Sequence, residues 1–287
     1  MILVPLPTLL IEPLVRNALT EDLGLAGDIT SAALIPPGHR SALHMISRQP
    51  GVLAGLDLAA LAFHLMDPLV SIARRKQDGE SLSPGDVIAT IEGSSHALLT
   101  AERTALNFIS HLSGIATLTS RMVAAIAGTS ASIACTRKTT PGLRAIEKYA
   151  VRAGGGVNHR FSLADAVLIK DNHIAVAGGV AEAIRRAKAN VGHMVKIEVE
   201  VDTIDQLRVA MAEGVDAVLL DNMSPDQLRR AVDIVAGRAI TEASGRVTLE
   251  TVAEIAATGV DLISVGWITH SAPILDIGLD AAAELVE

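Results

Sequence analysis

Residues 195–201 read Val195-Lys196-Ile197-Glu198-Val199-Glu200-Val201, and the fold turns on that stretch. Apolar and charged side chains alternate without a break, so Val195, Ile197, Val199 and Val201 share one face of a β-strand and the three charged residues share the other. The apolar face asks for helices to cover it. Helical periodicity follows at once over Ile204–Glu213, and a second strand is predicted over Ala217–Asp221.

The same rhythm extends in both directions. Strands are expected at Ala131–Cys135, Ala166–Lys170, Ala239–Ala243 and Leu262–Gly266, and helices at Val180–Ala189, Pro225–Val235 and Leu249–Ala257. Pro225 suits a first helical turn, where its missing N–H costs nothing. Strand ends recur at roughly 20 to 35 residues, the length needed for a strand, a loop, a helix and a return. An open or closed βα barrel is the economical architecture. Before it lies a mixed α/β unit: a helix near Leu9–Leu19, a strand at Ala42–Ser47, a helix at Leu56–Leu65 and a strand at Val87–Ile91. A long helical stretch then spans 97–127, with a break expected at Gly114.

The composition narrows the function. Hydrophobic residues make up 49% of the 287 positions and charged residues 20%, the profile of a packed enzyme rather than a disordered chain. A net charge of −8 with 2% aromatic residues argues against a nucleic-acid partner. No apolar run is long enough for a membrane span, and the amino terminus, broken by Pro5, Pro7, Glu12 and Pro13, reads poorly as a signal peptide. A single cysteine, Cys135, permits no internal disulfide, so a cytoplasmic location is expected. Within this acidic chain, seven Lys or Arg against two acids lie between Ala134 and Lys170. Such a concentration suggests a small anionic ligand.

Polar residues fall where a βα barrel binds ligands, at the carboxyl ends of its strands. Thr136, Arg137 and Lys138 follow the first barrel strand, and Lys170, Glu200, Asp221, Ser244 and Gly266 end or follow the others. Inward charges must be paired or serve a ligand. An internal Lys196–Glu198 pair is one reading, with a ligand or metal role for Glu200 nearer the rim. Glu200 and Asp221, on successive strands, suit one magnesium ion shared with substrate phosphates; Asp221 as a cap for the following helix is the alternative. Ser244-Gly245 and Val265-Gly266 end the last two strands, where backbone N–H groups can approach a phosphate. The three glycines of Gly154-Gly155-Gly156 exceed what a helix stop needs and suggest a loop laid close to a ligand. Lys170 also permits a Schiff-base aldolase reading.

Several long blocks together resemble the quinolinate phosphoribosyltransferases. They are Thr136-Arg137-Lys138-Thr139-Thr140-Pro141-Gly142-Leu143-Arg144, Gly154 through Arg160, and Leu168-Ile169-Lys170-Asp171-Asn172-His173. Shorter matches include Glu102-Arg103-Thr104-Ala105-Leu106-Asn107 and Thr269-His270-Ser271, so the likeness covers nearly the whole chain. The resemblance implies an α/β fold with an N-terminal α/β sandwich domain over residues 1–112 and an incomplete βα (TIM-like) barrel over 113–273, with the tail 274–287 packing back on the first domain. It implies a homodimer with shared active sites, open to higher assembly. The implied reaction joins quinolinate to phosphoribosyl pyrophosphate, giving nicotinate mononucleotide, pyrophosphate and carbon dioxide in NAD biosynthesis. By similarity, Arg103 from the neighbouring subunit, Arg137, His159, Arg160 and Lys170 would hold the quinolinate carboxylates. Lys138, Glu200, Asp221, Ser244, Gly245, Gly266 and His270 would surround phosphoribosyl pyrophosphate and Mg2+, with Lys138, Lys170, Glu200 and Asp221 as the catalytic set; Thr136, Arg246, Val265 and Trp267 beside them are further candidate substrate contacts, with Arg246 facing outward as the alternative. The sequence departs from the family pattern at Arg246, Trp267 and Cys135. A related phosphoribosyltransferase with another acceptor and a non-catalytic metabolite binder are the remaining readings.

Overall fold

A computed structural model describes residues 3–282. The chain divides into two compact units, Met1–Ser120 with Ala145–Gly155 and Ser271–Glu287, and Arg121–Arg144 with Gly156–His270. In chain order the elements begin with α1 (Thr8–Leu23), α2 (Ile29–Leu34), β1 (Arg40–Ser47), β2 (Gly51–Val52), α3 (Leu56–Met66), β3 (Ser71–Arg74) and β4 (Ser81–Leu82). There follow β5 (Val87–Ser94), α4 (Ser95–Ala125), β6 (Ser132–Ala134), α5 (Arg144–Ala153), β7 (Val167–Ile169), α6 (Asp171–Ala177), α7 (Val180–Asn190) and β8 (Ile197–Val201). The chain continues through α8 (Ile204–Glu213), β9 (Ala217–Asp221), α9 (Pro225–Val235), β10 (Ile240–Ser244), α10 (Val252–Ala256), β11 (Leu262–Ser264), α11 (Trp267–His270) and β12 (Ile277–Ala281).

The first unit is built on an antiparallel sheet in the order β12-β1-β5-β3. β12 runs antiparallel to β1, from Leu43↔Ala281 to Ser47↔Ile277, so the carboxyl-terminal segment completes a sheet begun near the amino terminus. Residues 283–287 of the expected tail lie outside the described residues. Phe63, Leu58, Ile88, Ile91 and Leu98 are fully buried here. Each such side chain contributes about 1.5–3 kcal/mol of transfer free energy.

Helix α4 does not break at Gly114. A Cβ at that position would stand 2.1 Å from the carbonyl oxygen of Pro273, so the glycine lets the segment before β12 pass against an intact helix. Tolerance of close approach, rather than helix termination, explains the residue. α5 is the other surprise. Its sequence lies between two barrel strands, yet Ala145–Gly155 groups with the first unit.

The second unit holds six parallel strands in the order β6-β11-β10-β9-β8-β7. Among the described residues no ladder joins β6 to β7, which makes the barrel incomplete. Local chemistry starts its helices cleanly. Thr203 with Gln206 and Ser224 with Gln227 form reciprocal capping boxes, which satisfy N–H groups that have no partner inside the helix. No helix among the described residues is long and apolar enough to cross a membrane.

Candidate active site

Because all six barrel strands run the same way, their carboxyl ends share one face, and two adjoining cavities open there. The larger, about 410 Å3, is lined by Thr136, Arg137 and Lys138 after β6, His159 and Arg160 from the loop after α5, and Leu168 and Lys170 at β7. Glu200, Leu219, Asp221, Glu242, Ser244 and Ser264 complete it. The smaller, about 380 Å3, shares Thr136, Lys138, Asp221, Ser244 and Ser264 and adds Asn222, Gly245, Arg246, Val247, Val265, Gly266, Trp267 and His270. Every barrel residue named above as a candidate contact for substrate or magnesium therefore lines one cavity or the other. Arg103 does not: it lies exposed on α4 and lines a cavity of the first unit with Asp28 and Thr100.

One wall is strongly cationic. The Nε atoms of Arg137 and Arg160 are buried and have no hydrogen-bond partner. Arg160 spends one Nη1 donor on the carbonyl of Ala166 at 2.7 Å. Burial, and then the neighbouring Arg137, hold the Arg160 guanidinium below its ordinary value. Two cations held together with unused buried donors carry a desolvation cost that an anionic ligand would relieve. The loop bearing Arg137 is anchored by hydrogen bonds: Thr269 Oγ1 donates to the Lys138 carbonyl at 2.7 Å, and the Lys138 N–H donates to Thr136 Oγ1 at 3.0 Å.

The same cavity also carries carboxylates. Glu200 and Asp221 end adjacent strands and offer hard oxygen donors to the same cavity, a set that suits magnesium together with phosphate oxygens and water. Lys170 Nζ donates to Glu200 Oε2 at 2.7 Å, and Asn222 Nδ2 donates to Asp221 Oδ2 at 2.6 Å. Asp221 is not the cap of α9; Ser224 takes that place, leaving Asp221 to the cavity. Lys170 is about half exposed and ion-paired, unlike the desolvated lysine that Schiff-base chemistry favours. At the second cavity, Gly245 has a φ of +101° and Arg246 a φ of +48°, so the backbone turns through left-handed conformations where phosphate contacts are expected. Trp267 braces this turn by donating from Nε1 to the Val247 carbonyl at 2.8 Å.

A deeper layer was not apparent from sequence. His159 Nε2 lies 2.8 Å from Glu198 Oε2 and 3.8 Å from Glu242 Oε2. The Ser264 hydroxyl donates to Glu242, and Glu198 Oε1 is buried without a partner. Burial, followed by the charge of Glu198, pushes the Glu242 carboxyl up to about 7, against the opposing pull of His159 and Ser264. The signal for Glu242 lay in Ile240-Thr241-Glu242-Ala243-Ser244, where a lone acid interrupts a buried strand on the same inward face as Ser244.

Three expectations are corrected. Lys196 does not pair with Glu198; it precedes β8, is exposed, and bonds Asp216 Oδ1 at 2.5 Å. Gly154 is not laid against a ligand, because a Cβ there would meet the Ala116 carbonyl oxygen at 2.3 Å, and packing on α4 accounts for it. Nor do all seven cations between Ala134 and Lys170 serve one cavity. Arg137, Lys138, Arg160 and Lys170 line it, Arg144 bonds the Phe161 carbonyl, and Lys148 and Arg152 belong to the first unit.

Residues 28–113 match the family described as quinolinate phosphoribosyl transferase, N-terminal domain, and residues 115–280 match its C-terminal domain. The chain belongs to the quinolinate phosphoribosyltransferase family. A member from Mycobacterium leprae, named nicotinate-nucleotide pyrophosphorylase (carboxylating), is 47% identical over 274 residues, covering 93% of this chain and 95% of the relative. A mitochondrial quinolinate phosphoribosyltransferase (decarboxylating) of Nicotiana tabacum is 40% identical, covering 97% and 84%. Among solved structures of the family, the nicotinate-nucleotide pyrophosphorylase of Francisella tularensis superposes with a TM-score of 0.93 at 39% identity, covering 97% of this chain and 98% of that one.

Proposed function

We infer that the chain is a pentosyltransferase, a carboxylating nicotinate-nucleotide pyrophosphorylase that joins quinolinate to phosphoribosyl pyrophosphate. The observation that carries this reading is the pair of buried, unpartnered guanidinium nitrogens of Arg137 and Arg160, lining one cavity together with Glu200 and Asp221. Quinolinate brings two adjacent carboxylates. Arg137, His159, Arg160 and Lys170 hold them, with guanidinium groups presenting paired planar donors. Thr136, Lys138 and Ser244 lead from that wall toward Gly245, Arg246, Val265, Gly266, Trp267 and His270, which receive the phosphates of the second substrate.

Glu200 and Asp221 would hold Mg2+, whose chemistry there is to offset the charge of the departing pyrophosphate. Lys138, which lines both cavities, adds a fixed positive charge beside the same group. Lys170 keeps Glu200 oriented until the substrates bind. Attack by the ring nitrogen on the anomeric carbon builds positive charge on the ribose, and the carboxylate wall stabilises it as a preorganised field. Arg103, exposed on its helix, fits a site completed by a second copy of the chain, so we assign a homodimer. With a single cysteine the chain can form no internal disulfide and needs no oxidising compartment, which suits the cytoplasm.

The test is a coupled assay for carbon dioxide and nicotinate mononucleotide from quinolinate, magnesium and phosphoribosyl pyrophosphate. Arg137→Ala should lower kcat/KM by on the order of 100-fold, the equivalent of about 3 kcal/mol for one charge-assisted contact. No quinolinate-dependent pyrophosphate release from the folded wild-type chain would refute the reading.

A further inference from the structure

Resting on that reading, the structure also bears on where the last proton of the reaction comes from. Once the ring nitrogen has been alkylated, the bond from the neighbouring ring carbon to its carboxylate breaks. Carbon dioxide leaves, and the electron pair stays on that carbon beside the cationic nitrogen. One proton must then be delivered to it. Lys138, Lys170, Arg137 and Arg160 are cations assigned to binding anions, and Glu200 and Asp221 are assigned to the metal, so none of these is a neutral acid held ready.

We propose that Glu242 is that acid, a buried carboxyl group in the cavity wall that protonates the ring carbon and regains its proton from water. Its place in the fold supports this. The side chain is 3% exposed yet lines the cavity into which the acid-binding residues point. His159, Glu198 and Glu242 bring one nitrogen and two carboxylate oxygens within 4.8 Å of one another. Two carboxyl groups so close inside a barrel cannot both carry charge cheaply, so one retains a proton. The hydrogen-bond inventory agrees. Glu242 receives the Ser264 hydroxyl on one side, while Glu198 Oε1 is buried with no donor aimed at it, an arrangement short of donors for two carboxylates.

The groups facing Glu242 are few. β8 presents Glu198, and the loop after α5 presents His159. The strands on either side, β9 and β11, present Leu219 and Ser264, which carry no charge. The remaining charges on the cavity are Arg137, Lys138, Arg160, Lys170, Glu200 and Asp221. Burial and then Glu198 raise the Glu242 carboxyl to about 7, and His159 and then the Ser264 hydroxyl oppose that rise.

Single-turnover formation of nicotinate mononucleotide, followed from pH 5.5 to 9, tests the assignment. Wild type should lose rate as pH rises through about 7, because the donor must be protonated. Glu242→Gln should be slower by at least about 100-fold, within the usual range for a lost general acid, and should lack that limb. Its affinity for quinolinate, measured by calorimetry, should stay within about threefold of wild type, since the carboxyl contributes a proton rather than a binding contact. Ser264→Ala removes a donor that favours the ionised form, so its limb should move to higher pH. It also keeps the question open to measurement should Glu242→Gln fail to fold. A Glu242→Gln enzyme with the wild-type rate and limb, or a Ser264→Ala limb that stays in place, would overturn the proposal while leaving the assigned reaction standing. Wild type that releases no carbon dioxide from quinolinate would remove the reaction itself.

Discussion

Two carboxyl groups drawn away from water, the half-buried Asp78 of the first unit and the buried Glu242 of the barrel, are treated in opposite ways. In the first unit Asp78 accepts from the N–H groups of Gly55 and Leu56 at 2.9 and 3.1 Å and from the Tyr149 hydroxyl at 2.7 Å. In the barrel, Glu242 has Ser264 and a distant His159, and its neighbour Glu198 has an oxygen with no partner at all. Burial raises both Asp78 and Glu242, but three donors work against the rise at Asp78, and Glu198 adds to it at Glu242. An acid surrounded by donors is a structural device that starts α3 and ties α5 to the loop between β3 and β4. A buried acid short of donors, placed on a cavity wall, is a store of protons. Completeness of hydrogen bonding, more than burial, separates structure from chemistry.

The contrast can be broken by experiment. Asp78→Ala leaves three buried donors without an acceptor and should cost about 2–4 kcal/mol in urea unfolding. Folded enzyme at low temperature should keep its kcat, and a large loss of kcat there would erase the distinction. At Glu242 the effect should depend on pH. Its folded value lies above the ordinary 4.5, so its stabilising contribution is complete below that value and is lost as pH rises through about 7. Glu242→Gln has no such loss, so its melting temperature should gain on wild type between pH 5 and pH 8. A constant difference across that range would place the proton elsewhere.

Smaller changes sharpen the picture. Tyr149→Phe removes one of the three donors to Asp78 and should cost about 1 kcal/mol, with the remaining two N–H groups holding the carboxylate. The hydroxyl itself is pushed above its ordinary value by burial and by Asp78, so no titration of Tyr149 should be visible by absorbance below pH 10. Arg246→Gly should be the mildest in stability, neutral or up to about 0.5–1 kcal/mol favourable, because glycine adopts a positive φ without strain. The same variant should raise the KM for phosphoribosyl pyrophosphate and leave that for quinolinate unchanged. A stability gain with both KM values unchanged would make Arg246 an outward-facing residue.

Much of the barrel was legible from local rules. Strands predicted at Ala217–Asp221 and Ala239–Ala243 stand at Ala217–Asp221 and Ile240–Ser244, and the helices at Ile204–Glu213 and Pro225–Val235 match residue for residue. Periodicity, capping pairs and turn residues act over a few positions, so a linear reading captures them. For the same reason the rim residues could be named: a parallel strand that ends in a polar residue delivers it to the same face as its neighbours.

The linear chain alone therefore determined the βα rhythm, the cations Arg137 and Arg160 on two successive loops, and the carboxylates of Glu200 and Asp221. Only the tertiary structure decided which charges meet. Lys196 turned to Asp216 instead of Glu198, Gly114 and Gly154 proved to be places where backbone passes close to α4, and His159, Glu198 and Glu242 converged from distant segments. Pairing depends on distances across strands and on which donors burial leaves unspent, quantities that exist only once the chain has closed on itself.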